Sequence, residues 1–203
     1  MKTIDTVIFD LGNVLLLYDW QIAANRLCAR VGKPRQEIDH YFMTTPFATQ
    51  LERGGISKQD FFARVSRDMK FDGTYEEFAL IWSDIFTPNE PMIALAQQLR
   101  GRVRRYVLSN TNEIHMDFIS ERYPFLRDFD GHVYSHKVRS MKPDAGIYEF
   151  LLKTFGVEAS QAVFIDDILA NIEGARAMGL HGIHYQGPEQ VRQELTKLGV
   201  RSI

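Results

Sequence analysis

Thr6-Val7-Ile8-Phe9-Asp10-Leu11-Gly12-Asn13-Val14-Leu15 decides the fold: a β-branched and aromatic run ends in a carboxylate, and Gly12 closes it at a turn. The run reads as a strand with an acid at its carboxyl end. From Leu17 to Asn89 the pattern becomes helical. Asp19 is placed to cap a helix running through Arg30, with Ile22, Ala23, Leu27 and Ala29 at helical spacing and Gly32 and Pro34 ending it. Gln36 to Phe42 forms a short helix. Ser57-Lys58-Gln59-Asp60 is an acidic variant of a capping box ahead of Phe61, Phe62 and Val65, and Tyr75 to Phe86 carries Phe78, Leu80, Ile81 and Ile85. No strand is expected in this stretch.

Beyond Pro88 and Pro91 strand and helix patterns alternate. Ala94 to Leu99 reads as helix, Arg105 to Leu108 as strand, Glu113 to Arg122 as helix, His132 to Tyr134 as strand and Ala145 to Phe155 as helix. Ala162 to Ile165, Ile168 to Met178, Gly182 to Tyr185 and Pro188 to Leu198 continue the alternation. This order predicts an α/β fold, a doubly wound parallel sheet covered by helices on both faces, with ligands at the carboxyl ends of the strands. The expected organisation is a core of residues 1–16 and 90–203 and an inserted all-helical cap of residues 17–89, long enough to be a lid.

The chain has 203 residues, 45% of them hydrophobic, and a formal net charge of -2 with acids and bases interspersed. Nothing marks a face for nucleic acid or an acidic membrane surface. No apolar run approaches the roughly 18 residues of a membrane span, and Asp5 follows too soon for an export signal, so a cytoplasmic protein is expected. The lone Cys28 forms no internal disulfide and reads as helix core in Leu27-Cys28-Ala29. The oligomeric state, monomer or dimer, is left open.

The chemistry lies in four segments at or beyond strand ends: Asp10, Ser109-Asn110-Thr111, Lys142-Pro143 and Asp166-Asp167. Each alone has an ordinary explanation as a turn, a helix cap or a solvated lysine. Together, after successive strands of one parallel sheet, they fall on one rim. An Asp carboxylate can attack phosphorus and form an aspartyl-phosphate, provided that the repulsion between the two anions is removed. Mg²⁺ held by carboxylates, a backbone carbonyl and waters does this. Asp10, the Gly12 carbonyl, Asp167 and Asp166 are the expected ligands. Ser109, Lys142 and backbone amides near Asn110 and Thr111 would hold the phosphoryl oxygens.

At these residues the chain resembles the haloacid dehalogenase superfamily of hydrolases, most of which are phosphatases. Phe9 to Leu15 is similar to its first motif, Leu108 to Asn112 to its second, Lys142-Pro143-Asp144 with Ile147-Tyr148 to its third, and Phe164 to Asp167 with Asn171 to its fourth. The resemblance spans nearly the whole chain, including the helical insert and its Glu52-Arg53-Gly54-Gly55-Ile56-Ser57 segment. Within the superfamily it is nearest to sugar-phosphate phosphatases of the alpha-glucose-1-phosphatase kind and to the amino-terminal domain of soluble epoxide hydrolases. The resemblance implies a Mg²⁺-dependent phosphatase for a small phosphorylated metabolite, a sugar phosphate such as a hexose 1-phosphate ahead of a nucleotide or protein. Asp10 would attack, Ser109, Asn110 and Lys142 would hold the phosphoryl group, and the lid would select the leaving group.

One position departs from the pattern. Most phosphatases of the superfamily carry a second Asp two residues after the nucleophile as general acid, whereas this chain has Gly12. Asp19 is the first candidate to replace it. Glu52 and Arg53, before a Gly-Gly turn, are candidates to read the substrate. Tyr18 and Trp20 are expected to pack between lid and core. His115 and His136 follow motifs closely, yet none of the six histidines has metal-pair spacing. The missing acid counts against a phosphomutase. A 2-haloacid dehalogenase is the alternative enzyme, needing no metal, but its relatives do not keep two carboxylates at the fourth motif. A degenerate binder of phosphorylated ligands is the non-enzymatic alternative, and a receiver domain fails on motif order.

Overall fold

The computed structural model describes residues 3–200. Strand β1 is Thr6–Phe9 and β2 is Leu16–Tyr18. Five helices follow: α1 Trp20–Val31, α2 Arg35–Thr44, α3 Phe47–Glu52, α4 Lys58–Met69 and α5 Tyr75–Ser83. Then come β3 Phe86–Pro88, α6 Glu90–Gln98, β4 Arg104–Ser109, α7 Glu113–Arg122 and β5 Gly131–Tyr134. The remainder is α8 Ser135–Val138, α9 Ala145–Phe155, β6 Ala162–Asp166, α10 Leu169–Ala177, β7 His181–His184 and α11 Pro188–Lys197.

The main sheet has the order β5-β4-β1-β6-β7, and every pairing is parallel. The expected doubly wound sheet is therefore present. Its strands alternate their side chains between two cores, which is why their runs are apolar throughout. Val7, Phe9, Val107, Val163, Ile165 and Ile183 face one core with residues of α6, α7 and α11. Ile8, Leu108, Val133 and Phe164 face the other with α9 and α10. Each such side chain, fully buried, contributes about 1.5–3 kcal/mol. The order in which strands are added reverses at β1, which lies between β4 and β6, and crevices at such a switch point hold ligands. No helix among the described residues is long and apolar enough to cross a membrane.

The region from 17 to 89 is not free of strands. Leu16–Tyr18 pairs antiparallel with Phe86–Pro88, in the register Leu16↔Pro88, Leu17↔Thr87 and Tyr18↔Phe86. Three residues are too few to show a period of two, and the helix expected to reach Phe86 ends at Ser83. This ribbon fixes the entry and exit of the helical segment side by side. Inside it, Ala24, Leu27, Phe61, Val65, Phe78 and Trp82 belong to a separate apolar cluster that Ile114 of α7 joins. Ile22 and Ala29, expected on the buried face of α1, are exposed, because Ala23, Ala24 and Leu27 make a narrower stripe. Cys28 is half-buried beside that stripe. The Ser57 side chain caps α4 by accepting from the Asp60 amide, as expected.

The segment after α3 is tied to the opposite side of the crevice. Ser135 Oγ donates to the Glu52 carbonyl at 2.6 Å, and Arg53 pairs with Asp144 at 3.0 Å in an exposed contact worth little. Gly54 has a φ of +64°, and a Cβ there would collide with the His136 carbonyl. Gly54→Ala should therefore cost about 1–3 kcal/mol by forcing both a left-handed backbone and a displaced loop. Urea unfolding of the variant checks this, and a midpoint unchanged from wild type would refute the close approach.

Candidate active site

Asp10 follows directly from β1, its amide donating to the Ile165 carbonyl at 2.9 Å so that β6 fixes its height. Ser109 ends β4 and Asp166 ends β6, so the parallel register brings residues separated by about a hundred positions to one rim. Lys142, supplied by the loop before α9, completes the group. Its Nζ is 2.7 Å from Asp10 Oδ1 and 2.7 Å from Asp166 Oδ2, and all three side chains are buried. Burial pushes the Asp10 carboxyl up to about 7 against the opposing pull of Lys142. Burial disfavours the Lys142 ammonium, but the two carboxylates beside it hold its pKa above the usual lysine value.

The Asn110 side chain is taken up by the backbone of Lys142. Its Oδ1 accepts from the Lys142 amide at 2.8 Å and its Nδ2 donates to the Lys142 carbonyl at 2.9 Å, a reciprocal clamp that sets where the lysine stands. The Thr111 amide is similarly committed, donating to Ser135 Oγ at 2.9 Å. Of the expected phosphoryl contacts, Lys142 Nζ and the buried Ser109 hydroxyl stay on the rim. Ser109 Oγ makes only a long 3.4 Å contact with the Asn110 carbonyl and is easily re-aimed.

The acids divide into filled and open oxygens. Asp166 accepts from Lys142, from Asn171 Nδ2 at 3.0 and 3.1 Å, and from the Ile168 amide at 2.8 Å. Asp167 Oδ2 accepts from Asn13 Nδ2 at 3.0 Å, and Asp10 Oδ1 also takes the Leu11 amide at 2.7 Å. Among the described residues, Asp10 Oδ2 and Asp167 Oδ1 accept no hydrogen bond. Asp10, Asp166 and Asp167 each offer a ligand oxygen, all within 4.8 Å of one another. An all-carboxylate oxygen set suits a hard divalent cation of the Mg²⁺ type. Asn13 and the clamp by Asn110 were missed from the sequence; the one available signal was Asn13 beside Gly12, which here adopts a φ of 55° that Asn tolerates.

A cavity of about 350 Å³ opens on this rim. Gly12, Ser109, Asn110 and Thr111 line it next to Asp10, and Tyr18, Trp20, Phe42, Trp82 and Phe86 line it further out. Glu52 also lines it, with its pKa raised to about 6 by burial alone. Burial and the negative charges of Asp167, Glu52 and Asp10 raise the Tyr18 hydroxyl above its ordinary pKa. Asp19 does not line the cavity: it is exposed, and Oδ1 accepts from the Gln21 amide at 2.8 Å as the cap of α1. Arg53 is likewise outside, paired with Asp144. His115 reaches the cavity, but burial pushes it down to about 4, and it stands neutral against Trp82. His136 Nδ1 instead bonds to the Thr111 carbonyl at 3.0 Å.

Comparison with known proteins agrees with this architecture. D-ribitol-5-phosphate phosphatase of Bacteroides thetaiotaomicron is 28% identical over 202 residues, covering 95% of this chain and 97% of its own. The sesquiterpene phosphatase astK of Aspergillus oryzae is 26% identical over 205 residues, covering 97% of each chain. The crystal structure of a haloacid dehalogenase family enzyme from Bacteroides thetaiotaomicron, in complex with magnesium and inorganic phosphate, superimposes with a TM-score of 0.82 at 24% identity, covering 89% of this chain and 93% of that one. The model of haloacid dehalogenase-like hydrolases matches residues 4–179, which contain every element from β1 to α10, and the chain therefore belongs to that family.

Proposed function

We propose that the protein is a Mg²⁺-dependent phosphatase that hydrolyses a small phosphorylated metabolite through an aspartyl-phosphate on Asp10. The observation that carries this reading is the state of the Asp10 carboxylate: one oxygen is held by Lys142 and the other is open, beside Asp166 and Asp167. The relatives named as phosphatases, aligned over nearly the full chain, support the same reaction.

Asp10 attacks phosphorus, the bond from phosphorus to the ester oxygen breaks, and the leaving oxygen takes a proton. Water then attacks the phosphoryl group, releasing orthophosphate and the Asp10 carboxylate. Lys142 Nζ and Ser109 Oγ hold the phosphoryl oxygens. Asn110 and Asn171 are positioning residues, the first for Lys142 and the second for Asp166. Asp10, Asp167, the Gly12 carbonyl and Asp166 would hold a Mg²⁺ ion, which would supply the positive charge that lets the two anions approach. Residues 17–89 act as the lid that excludes bulk water.

The proton falls to Glu52 in place of the expected Asp19. Glu52 lines the cavity, its carboxylate has no hydrogen-bond or ion-pair partner among the described residues, and burial keeps it protonated further toward neutrality. Glu52→Gln should lower kcat for an alkyl phosphate by about 10²-fold and affect an ester with an acidic leaving group much less. Gly12→Asp in that background should restore part of the loss, since a Cβ at Gly12 would meet only the Tyr18 ring at ordinary contact distance, 3.4 Å. Equal losses on both classes of ester would remove Glu52 from proton transfer.

Phosphate release in multiple turnover, with and without Mg²⁺, tests the whole reading. Phosphate release that persists in chelator would remove the Mg²⁺-dependent mechanism, and halide release from 2-chloropropionate without metal would favour the dehalogenase alternative. A single binding event without turnover would favour the degenerate binder. The ribitol phosphatase relative supports the sugar-phosphate expectation for the leaving group, and the sesquiterpene phosphatase relative supports an apolar one.

A further inference from the structure

The cavity wall beyond the phosphoryl site offers hydrocarbon and very few hydrogen bonds. Trp20, Phe42, Met43, Trp82, Ile85 and Phe86 make up most of it. Few polar groups stand among the rings. Trp20 Nε1 donates to Asp39 Oδ1 at 3.1 Å, whereas Trp82 Nε1 is buried with no hydrogen-bond partner among the described residues. His115 has both ring nitrogens committed: Nδ1 lies 3.2 Å from Asn112 Nδ2 and Nε2 lies 3.3 Å from the Trp82 carbonyl. The pair fits a neutral ring that accepts at Nδ1 and donates from Nε2. Its remaining surface stacks on Trp82 at 5.8 Å and meets Phe86 edge-on at 5.1 Å. Outside the phosphoryl end, the handles left among the described residues are the Tyr18 hydroxyl, Glu52 and the buried Trp82 N–H, few for a group with several hydroxyls.

A sugar or polyol carries several hydroxyls, and each one buried against such a wall without a partner loses affinity. A hydrocarbon loses nothing there and gains from leaving water. Resting on the phosphatase reading above, we infer that the leaving group is an apolar alcohol: the substrate is a phosphate monoester of an aromatic or branched aliphatic alcohol, with its phosphate on the Asp10 rim and its hydrocarbon between Phe42, Trp82 and Phe86. A cavity of about 350 Å³ lies within the range of small-molecule sites and has room for such a group.

The intact protein with Mg²⁺ should be assayed for phosphate release from acetyl phosphate, benzyl phosphate, geranyl phosphate, glucose 1-phosphate and ribitol 5-phosphate. Acetyl phosphate has almost no leaving group to recognise and reports the phosphoryl chemistry itself, so its failure would remove the phosphatase reading and this inference with it. With acetyl phosphate turned over, kcat/KM for geranyl or benzyl phosphate should exceed that for either sugar derivative by at least about 10²-fold, chiefly through KM. A sugar phosphate equal to or better than both apolar esters overturns the inference while leaving the phosphatase intact. Met43 lies at the rim and is 78% exposed, so Met43→Glu should leave the fold intact and lower the preference for the geranyl ester at least about tenfold. An unchanged preference would count against the wall as its source.

Discussion

Asp10→Asn is expected to reduce turnover by at least about 10⁴-fold while leaving the protein folded. The neutral amide cannot act as the nucleophile, and no second carboxylate takes over. Asp166 has its oxygens filled by Lys142, Asn171 and the Ile168 amide, and Asp167 is held by Asn13. The fold survives because an amide carbonyl still accepts from the Leu11 amide and from Lys142. The same variant should alter stability in a pH-dependent way when divalent ions are chelated. Asp10 has its pKa raised by burial from 3.8 to about 7 in the folded chain, so its carboxyl favours folding fully below pH 4. That contribution shrinks as pH rises through about 7, where the folded state must ionise a buried group that the unfolded chain ionises in water. The variant has no such loss. Its melting temperature in chelator should therefore gain on wild type between pH 5 and pH 9, and a difference that stays constant would refute the raised Asp10 carboxyl.

The fold was legible because its signals are local. Thr6 to Phe9, Arg105 to Leu108 and Ala162 to Ile165 are apolar runs with turn chemistry at their ends, and Glu113 to Arg122 and Ala145 to Phe155 carry their own helix boundaries. The same locality put Asp10, Ser109 and Asp166 at strand ends, and parallel registry then brings them together. The unread elements are those with no room for a period: the three-residue strands at Leu16 and Phe86, and the short α3. Site roles were read less well where a side chain answers to a distant partner. Asn110 looks like a ligand group in its motif, but it is spent on the backbone of Lys142, 32 residues away. Asn13 binds Asp167 across 154 residues. Asp19 was the first candidate for the acid and Glu52 a candidate only to read the substrate, and only folding leaves the first as an exposed helix cap and encloses the second in the cavity.

Lys142→Met should give the largest stability change. The substitution keeps a long side chain over Phe164, 5.3 Å from the present ammonium, but removes the one cation between two buried carboxylates. Breaking a buried pair by deleting one partner costs about 3–5 kcal/mol, because the charge left behind has no water. The loss, measured by denaturant unfolding in chelator at pH 8, should shrink at pH 5, where Asp10 takes a proton. Added Mg²⁺ should recover part of it by restoring positive charge beside Asp10 and Asp167. Turnover should fall by about 10²–10³-fold as well, since Lys142 is a proposed contact to the phosphoryl oxygens. The double variant Asp10→Asn with Lys142→Met separates charge from packing. If the ammonium is there chiefly to balance the acids, the double variant should be less destabilised than the two single effects added together, by at least about 1 kcal/mol. Strict additivity would mean that Lys142 and Asp10 do not sense one another across 2.7 Å and would refute the charge-balancing role of the ammonium.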